Sequence, residues 1–280
     1  MHSRRGLIVA LLCSAAWLSG CASVVPNGNP SFPVEVEQAQ ALLGQMHEHP
    51  RPLERPVVVL SGFLDPGWMT ASVAETLRDT TAVSAQFIKV SFVGVRTFDD
   101  CADKVIAAVD QAVPSNDPRQ TAEVDVVAMS MGGLVARFAA SERTASQNGS
   151  TPRRLNIHRL FTISTPHCGA KMAKIFTIDQ RVIDMRPGSD FLNHLNQCSA
   201  QYELCAYVRL NDGVVGEENA APPGQVAWWV PNPPLHWSHI GARDDPRILA
   251  DISRRLRGEP PLSTSPASPP PHSPSLALRW

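Results

Sequence analysis

The stretch that most constrains this chain is residues 123–138, EVDVVAMSMGGLVARF. Residues 124–129 form a nearly unbroken apolar run, which suits a strand buried on both faces of a parallel sheet. From Met131 the period changes, and Leu134, Val135 and Phe138 recur at helical spacing. Ser130 sits between the two, with Ala128 and Gly132 two places to either side. A serine at a sharp strand-to-helix turn with small flanking residues reads as a nucleophile elbow, in which the strained turn lifts the hydroxyl clear of the sheet. A serine that merely caps a helix offers the same pentapeptide. The strand before and the helix after favour the elbow.

From its start, the chain reads as four parts. Arg4 and Arg5 precede an apolar run, residues 6–18, that is too short to span a bilayer permanently. The run ends in Leu18-Ser19-Gly20-Cys21, which resembles the lipobox of bacterial lipoprotein signal peptides. The resemblance implies a signal peptide over residues 1–20, a lipidated Cys21 and anchoring in the bacterial cell envelope. With Ala22 next, it points to the outer membrane. An ordinary secretory signal cut a little later is the alternative. Residues 21–50 read as a tether rich in Pro, Asn and Gly followed by a short helix over residues 35–46. Residues 51–258 have the composition and length of one globular domain. Residues 259–280, rich in Pro and Ser, are expected to be a disordered tail.

The charge balance, 25 basic against 26 acidic residues, leaves a net charge of -1 and gives no footprint for nucleic acid. Beyond Cys13 and Cys21, four cysteines remain: Cys101, Cys168, Cys198 and Cys205. An exported chain meets an oxidising compartment, and of the possible pairings Cys198 with Cys205 closes the shortest loop. No C-x-x-C or H-x-x-x-H spacing supports a zinc site, and no metal or cofactor is expected.

Within the domain, apolar strands at residues 57–60, 87–92, 124–129, 160–164, 204–210 and 226–230 alternate with helices at residues 69–78, after Asp99 or Asp100, at 131–138 and at 244–256. That alternation predicts an α/β fold with a mostly parallel, doubly wound sheet, whose chemistry lies at the carboxyl ends of the strands. After the first strand comes Ser61-Gly62-Phe63-Leu64-Asp65-Pro66-Gly67-Trp68. Acyl transfer needs two backbone N-H groups aimed at a developing oxyanion, and Phe63 and Met131 are the candidates. Phe63 and Trp68 are also expected to line an acyl pocket.

After the strand at 160–164 comes Ser164-Thr165-Pro166-His167-Cys168-Gly169. With VVVLSGF at 57–63, AMSMGG at 128–133 and NDGVV at 211–215, the chain resembles bacterial triacylglycerol lipases and esterases of the α/β-hydrolase fold, over residues 56–256. The resemblance implies that His167 is structural, that Asp212 is the acid and that His239 is the base. Asp184 and Asp190 are the fallback acids and His236 is the competing histidine. It also implies that residues 170–201 carry a small cap or lid, although a packed crossover helix fits that segment as well. One departure stands out, since Ser61-Gly62 replaces the His-Gly usual in such lipases.

The expected function is therefore cleavage of carboxylic esters, with acylglycerols or related lipids as substrates, through an acyl-enzyme on Ser130. A monomer held to the membrane by its lipid is expected. Acyl transfer by the same residues, or a non-catalytic lipoprotein that binds a lipid or a partner, are the alternatives.

Overall fold

The computed structural model describes residues 28–143, 152–175, 179–264 and 266–271. Residues 1–20, read above as a signal peptide, and Cys21 lie outside these residues.

Six strands, β1 (Val57–Leu60), β2 (Phe87–Val90), β3 (Val124–Met129), β4 (Ile157–Ile163), β5 (Glu203–Arg209) and β6 (Trp228–Val230), form one sheet in the order β2-β1-β3-β4-β5-β6. Every pairing is parallel. The helices are α1 (Val36–Glu48), α2 (Trp68–Asp79), α3 (Phe98–Ala112), α4 (Met131–Ala140), α5 (Gln180–Asp184), α6 (Asp190–Gln197), α7 (Ser238–Gly241) and α8 (Pro246–Leu256). Parallel neighbours require crossovers, and these helices supply them. The chain steps from β1 out to β2, then returns past β1 to β3, so the strand order reverses between β1 and β3. Open α/β sheets hold their ligands at that point. The architecture is the α/β-hydrolase fold.

The central strands are apolar on both faces because both are covered. Val58, Leu60, Val126 and Ala128 join a core with α3 and α4, whereas Val57, Val59, Val127 and Met129 join a second core with α2 and α8. Each fully buried valine contributes roughly 1.5–3 kcal/mol. That is ample to hold β3 in place while the residue after it is strained. Strand β4 starts three residues before its expected apolar run, because the buried Ile157 pairs with Val124 and the half-buried Arg159 pairs with Asp125 through the backbone, with a register shift between Val124 and Asp125. Helix α3 is capped by Thr97 and not by Asp99 or Asp100. The Thr97 hydroxyl accepts from the Asp100 N-H at 3.1 Å, and threonine caps well in an extended conformation.

Three expectations change. Helix α1 belongs to the domain body, since Ala39 and Met46 pack with Ala250 of α8. The Pro/Ser-rich tail is ordered over its first residues by a buried carboxylate that composition does not reveal. Asp251 accepts from the N-H groups of Leu262 and Ser263 at 2.5 and 2.9 Å and from the Ser263 hydroxyl at 2.9 Å. Further on, Trp229 Nε1 donates to Ser268 O at 2.9 Å, and the Thr264 N-H donates to Ser31 O at 2.7 Å, so the two ends of the described chain lie against each other. Finally, Cys198 and Cys205 are not joined, and all four cysteines are free thiols. Cys205 is buried in β5 within the core beneath α8, whereas Cys198 caps the end of α6 beside His194.

Candidate active site

Ser130 links β3 to α4 with φ +48° and ψ -123°. Such a conformation costs a non-glycine residue roughly 1–3 kcal/mol and persists only where neighbours over-determine it. They do here. The Ser130 N-H donates to Ile163 O at 2.9 Å, while its carbonyl accepts from the Gly133 N-H at 3.1 Å and the Thr165 hydroxyl at 2.8 Å. A Cβ on Gly132 would stand 2.5 Å from Ser61 O, and one on Gly133 would stand 2.2 Å from Thr165 Oγ1. Both positions therefore require glycine. Ala128, at the third small position of the motif, is fully buried without such conflict.

The structure brings His239 and Asp212 to this serine. His239 Nε2 lies 3.1 Å from Ser130 Oγ, and its Nδ1 lies 2.9 Å from Asp212 Oδ2. Asp212 follows β5, and Asn211 before it turns the chain with φ +62°. The other oxygen, Oδ1, accepts from the Val214 and Val215 N-H groups at 3.0 and 2.9 Å. Burial pushes the Asp212 carboxyl up, but its hydrogen bond to His239 and the Val215 N-H outweigh that, and its pKa falls below the usual carboxylate value. A buried anion aimed at Nδ1 fixes which nitrogen carries the proton, leaving Nε2 as the acceptor toward Ser130. Helix α7 holds His239 because the Ser238 hydroxyl donates to Arg209 O at 2.8 Å, tying the helix to β5.

The other candidates lie elsewhere. His236 is exposed, with Nδ1 2.9 Å from Pro234 O. Asp184 accepts from Gln180 Nε2 at 2.8 Å, and Asp190 opens α6. His167 is fully buried between Arg137 Nη1 at 3.1 Å and the Thr162 hydroxyl at 3.0 Å. Burial first, and the Arg137 charge second, hold its pKa well below 6.5, so it is neutral. Arg137 donates to Nδ1, and Nε2-H donates to Thr162.

The loop after β1 approaches Ser130 closely, since a Cβ on Gly62 would come within 3.3 Å of Ser130 Cβ. Next to it, the Phe63 N-H and the Met131 N-H at the start of α4 make no hydrogen bond among the described residues. Ser61, the departure from the His-Gly pattern, is fully buried, and its hydroxyl accepts from the Phe92 N-H at 3.2 Å. Asp65 braces the far side of the loop by accepting from the Gly67 and Thr70 N-H groups at 2.8 and 3.1 Å. The only sequence signal of this brace is the Asx turn that D-P-G favours.

A cavity of about 680 Å³ opens on Ser130 and His239. Its walls are mainly apolar, with Phe63, Met129, Ile163, Ala173, Val182 and Met185 among them. Within segment 170–201, residues from 170–175 and 179–185 thus cover the cavity through a 3-10 turn (Lys171–Lys174) and α5. Phe176, part of that segment, lies outside the described residues. Trp68, expected in the pocket, is instead 64% exposed with the Arg243 guanidinium 5.4 Å over its ring. Strand β1 ends at Leu60, and the loop delivers Phe63, not Trp68, to the cavity. Among the described residues no group of three or more His, Cys, Asp or Glu side chains stands where it could hold a metal ion.

Comparison with known proteins gives these likenesses. The structure of a lipase from Bacillus licheniformis in mature form aligns at 16% identity and a TM-score of 0.49, covering 77% of this chain and 95% of that one. A metagenomic carboxyl esterase aligns at 15% and 0.48, over 75% and 77%. Phospholipase PlaB from Legionella pneumophila aligns at 15% and 0.48, over 72% of this chain and 60% of that one. No curated protein matches the chain. Residues 69–205, just under half of the chain, match the model of the family described as "Putative serine esterase (DUF676)".

Proposed function

We propose that the protein is an ester hydrolase working through an acyl-enzyme on Ser130. The observation that carries this is the continuous hydrogen-bonded line from Ser130 through His239 to Asp212, ending on a strained serine beside two unengaged backbone N-H groups. His239 Nε2 takes the hydroxyl proton as Ser130 Oγ bonds to the ester carbonyl carbon. The carbonyl electron pair moves onto oxygen, where the N-H groups of Phe63 and Met131 stabilise it. The tetrahedral species collapses, the carbon–oxygen bond to the alcohol breaks, and His239 gives the leaving alkoxide its proton. Water then repeats the sequence on the acyl-enzyme and releases the carboxylic acid. Asp212 stays ionised throughout and stabilises the imidazolium.

A lipid-like acyl group is the substrate class that the cavity favours. Five of its lining residues are also large, exposed apolar side chains: Leu64, Met172, Ile175, Val214 and Ile240. An apolar channel with an apolar mouth admits an alkyl chain without leaving polar groups unpaired. Anchoring through a lipidated Cys21 in the bacterial outer membrane, which the lipobox supports, would place this mouth among such substrates. Hydrolysis of p-nitrophenyl esters of graded chain length tests the reading. The Ser130→Ala variant should lose essentially all turnover above the water background remaining to binding alone, and survival of wild-type rates would refute it.

A further inference from the structure

We infer that Arg181 is a positioning residue for the Phe63 N-H, which it controls by clamping the Phe63 side chain from the roof of the cavity. The inference rests on the hydrolase reading above and concerns one part of it, the loop that carries Phe63.

Arg181 lies in α5, and its side chain is almost wholly buried. Its Cζ stands 4.9 Å from the centroid of the Phe63 ring, and Nη1 donates to Phe92 O at 3.3 Å. Asp179, at the cap of the same helix, grips the guanidinium with two contacts, Nε to Oδ1 at 3.0 Å and Nη2 to Oδ2 at 2.6 Å. This fork is the first cause of the raised Arg181 pKa, and it fixes the plane of the group over the ring. Phe92 closes the arrangement, because its N-H donates to Ser61 Oγ while its carbonyl accepts from Arg181. Residues 61–63 are thus held at two points: Ser61 through Phe92, and Phe63 through its ring.

The Phe63 ring and its N-H belong to one residue of a loop whose other anchors, at Asp65, lie beyond it. A ring held in place under Arg181 limits how far the Phe63 backbone, and with it the N-H, can shift. A shift of about 1 Å in a donor can cost about 100-fold in rate while substrate binding is unaffected, since the donor acts on charge that appears only in the transition state. Arg181 itself is not among the residues that line the cavity.

The test is a double-mutant cycle between Arg181→Lys and Phe63→Leu in the whole protein, assayed with p-nitrophenyl butyrate. Lysine keeps the charge but loses the planar fork. Arg181→Lys should lower kcat by about 10- to 100-fold with KM within twofold. Affinity for an alkyl boronic acid, whose tetrahedral adduct places an oxygen at the same donors, should weaken by a similar factor. In the Phe63→Leu background the same substitution should have almost no further effect. Asp179→Asn, which loosens the fork without touching the guanidinium, should reproduce the kcat loss if lysine proves unstable. An unchanged kcat in a folded Arg181→Lys, or losses that multiply across the cycle, would overturn the inference. Either result leaves the hydrolase reading intact, because that reading is tested separately by Ser130→Ala.

Discussion

Asp212 Oδ2 and His239 Nδ1 lie 2.9 Å apart, and the remaining oxygen of Asp212 is engaged by two backbone N-H groups. The carboxylate thus does two separable things: it shapes the turn after β5 and it orients the imidazole. Asp212→Asn keeps an oxygen for the turn but presents an amide donor to Nδ1, which forces the tautomer whose Nε2 carries hydrogen. We expect kcat to fall by about 10⁴-fold with a nearly unchanged melting temperature, checked by steady-state kinetics beside thermal unfolding.

The same economy of space governs the turn before it. A methyl on Gly132 would meet the carbonyl oxygen of Ser61, a backbone atom that cannot rotate away. Gly132→Ala should destabilise the fold by about 1–3 kcal/mol through overpacking. It should also push the loop that carries Phe63 outward, with a kcat loss of about 100-fold. Denaturant titration and turnover, measured on one preparation, separate the two effects.

His167 gives a pH dependence with a definite sign. Its pKa in the fold lies below the 6.5 of a free histidine because it is buried and faces Arg137. Below about pH 6.5 the unfolded chain binds a proton that the folded chain refuses, so stability is full above that pH and declines as pH drops toward the folded value. Urea titrations at pH 7.5 and 5.5 should show the wild type losing about 1 kcal/mol more than His167→Gln over that interval. Equal losses would remove His167 as the cause. The depressed Asp212 carboxyl acts at lower pH, in the carboxylate range, and is common to both proteins.

The roof of the cavity sets chain length. Ala173 is buried and lines the cavity, so Ala173→Leu should reduce turnover of long acyl esters relative to short ones. The shift should be about 10- to 200-fold, the scale on which an apolar pocket discriminates a single methylene. A panel of p-nitrophenyl esters reads the ratio directly.

The strands and the elbow are legible in the sequence because full burial on both faces demands unbroken apolar runs, and because Gly132 and Gly133 have no steric alternative. Asp212 and His239 are singled out by the resemblance and not by strand order, which leaves His236 in the same loop as His239. Other features escape for physical reasons. Arg159 of β4 pairs with both neighbouring strands through its backbone, which hydropathy does not register. The order of residues 262–264 depends on a single buried carboxylate, Asp251, that looks like any surface-spaced residue of α8. Arg181 escapes too, since an arginine in a short helix announces neither the aromatic ring above which it lies nor the Asp179 fork that sets its plane. The Cys198–Cys205 pairing fails because loop length says nothing of burial, and the two thiols belong to different surroundings.

The most direct test of the central claim is labelling with a fluorophosphonate, which reacts only with a serine whose hydroxyl is activated, followed by mapping of the modified peptide. The account predicts a single adduct at Ser130 in the wild type and its near disappearance in His239→Ala. A folded wild-type protein that remains unlabelled, or an adduct that persists undiminished without His239, would contradict it.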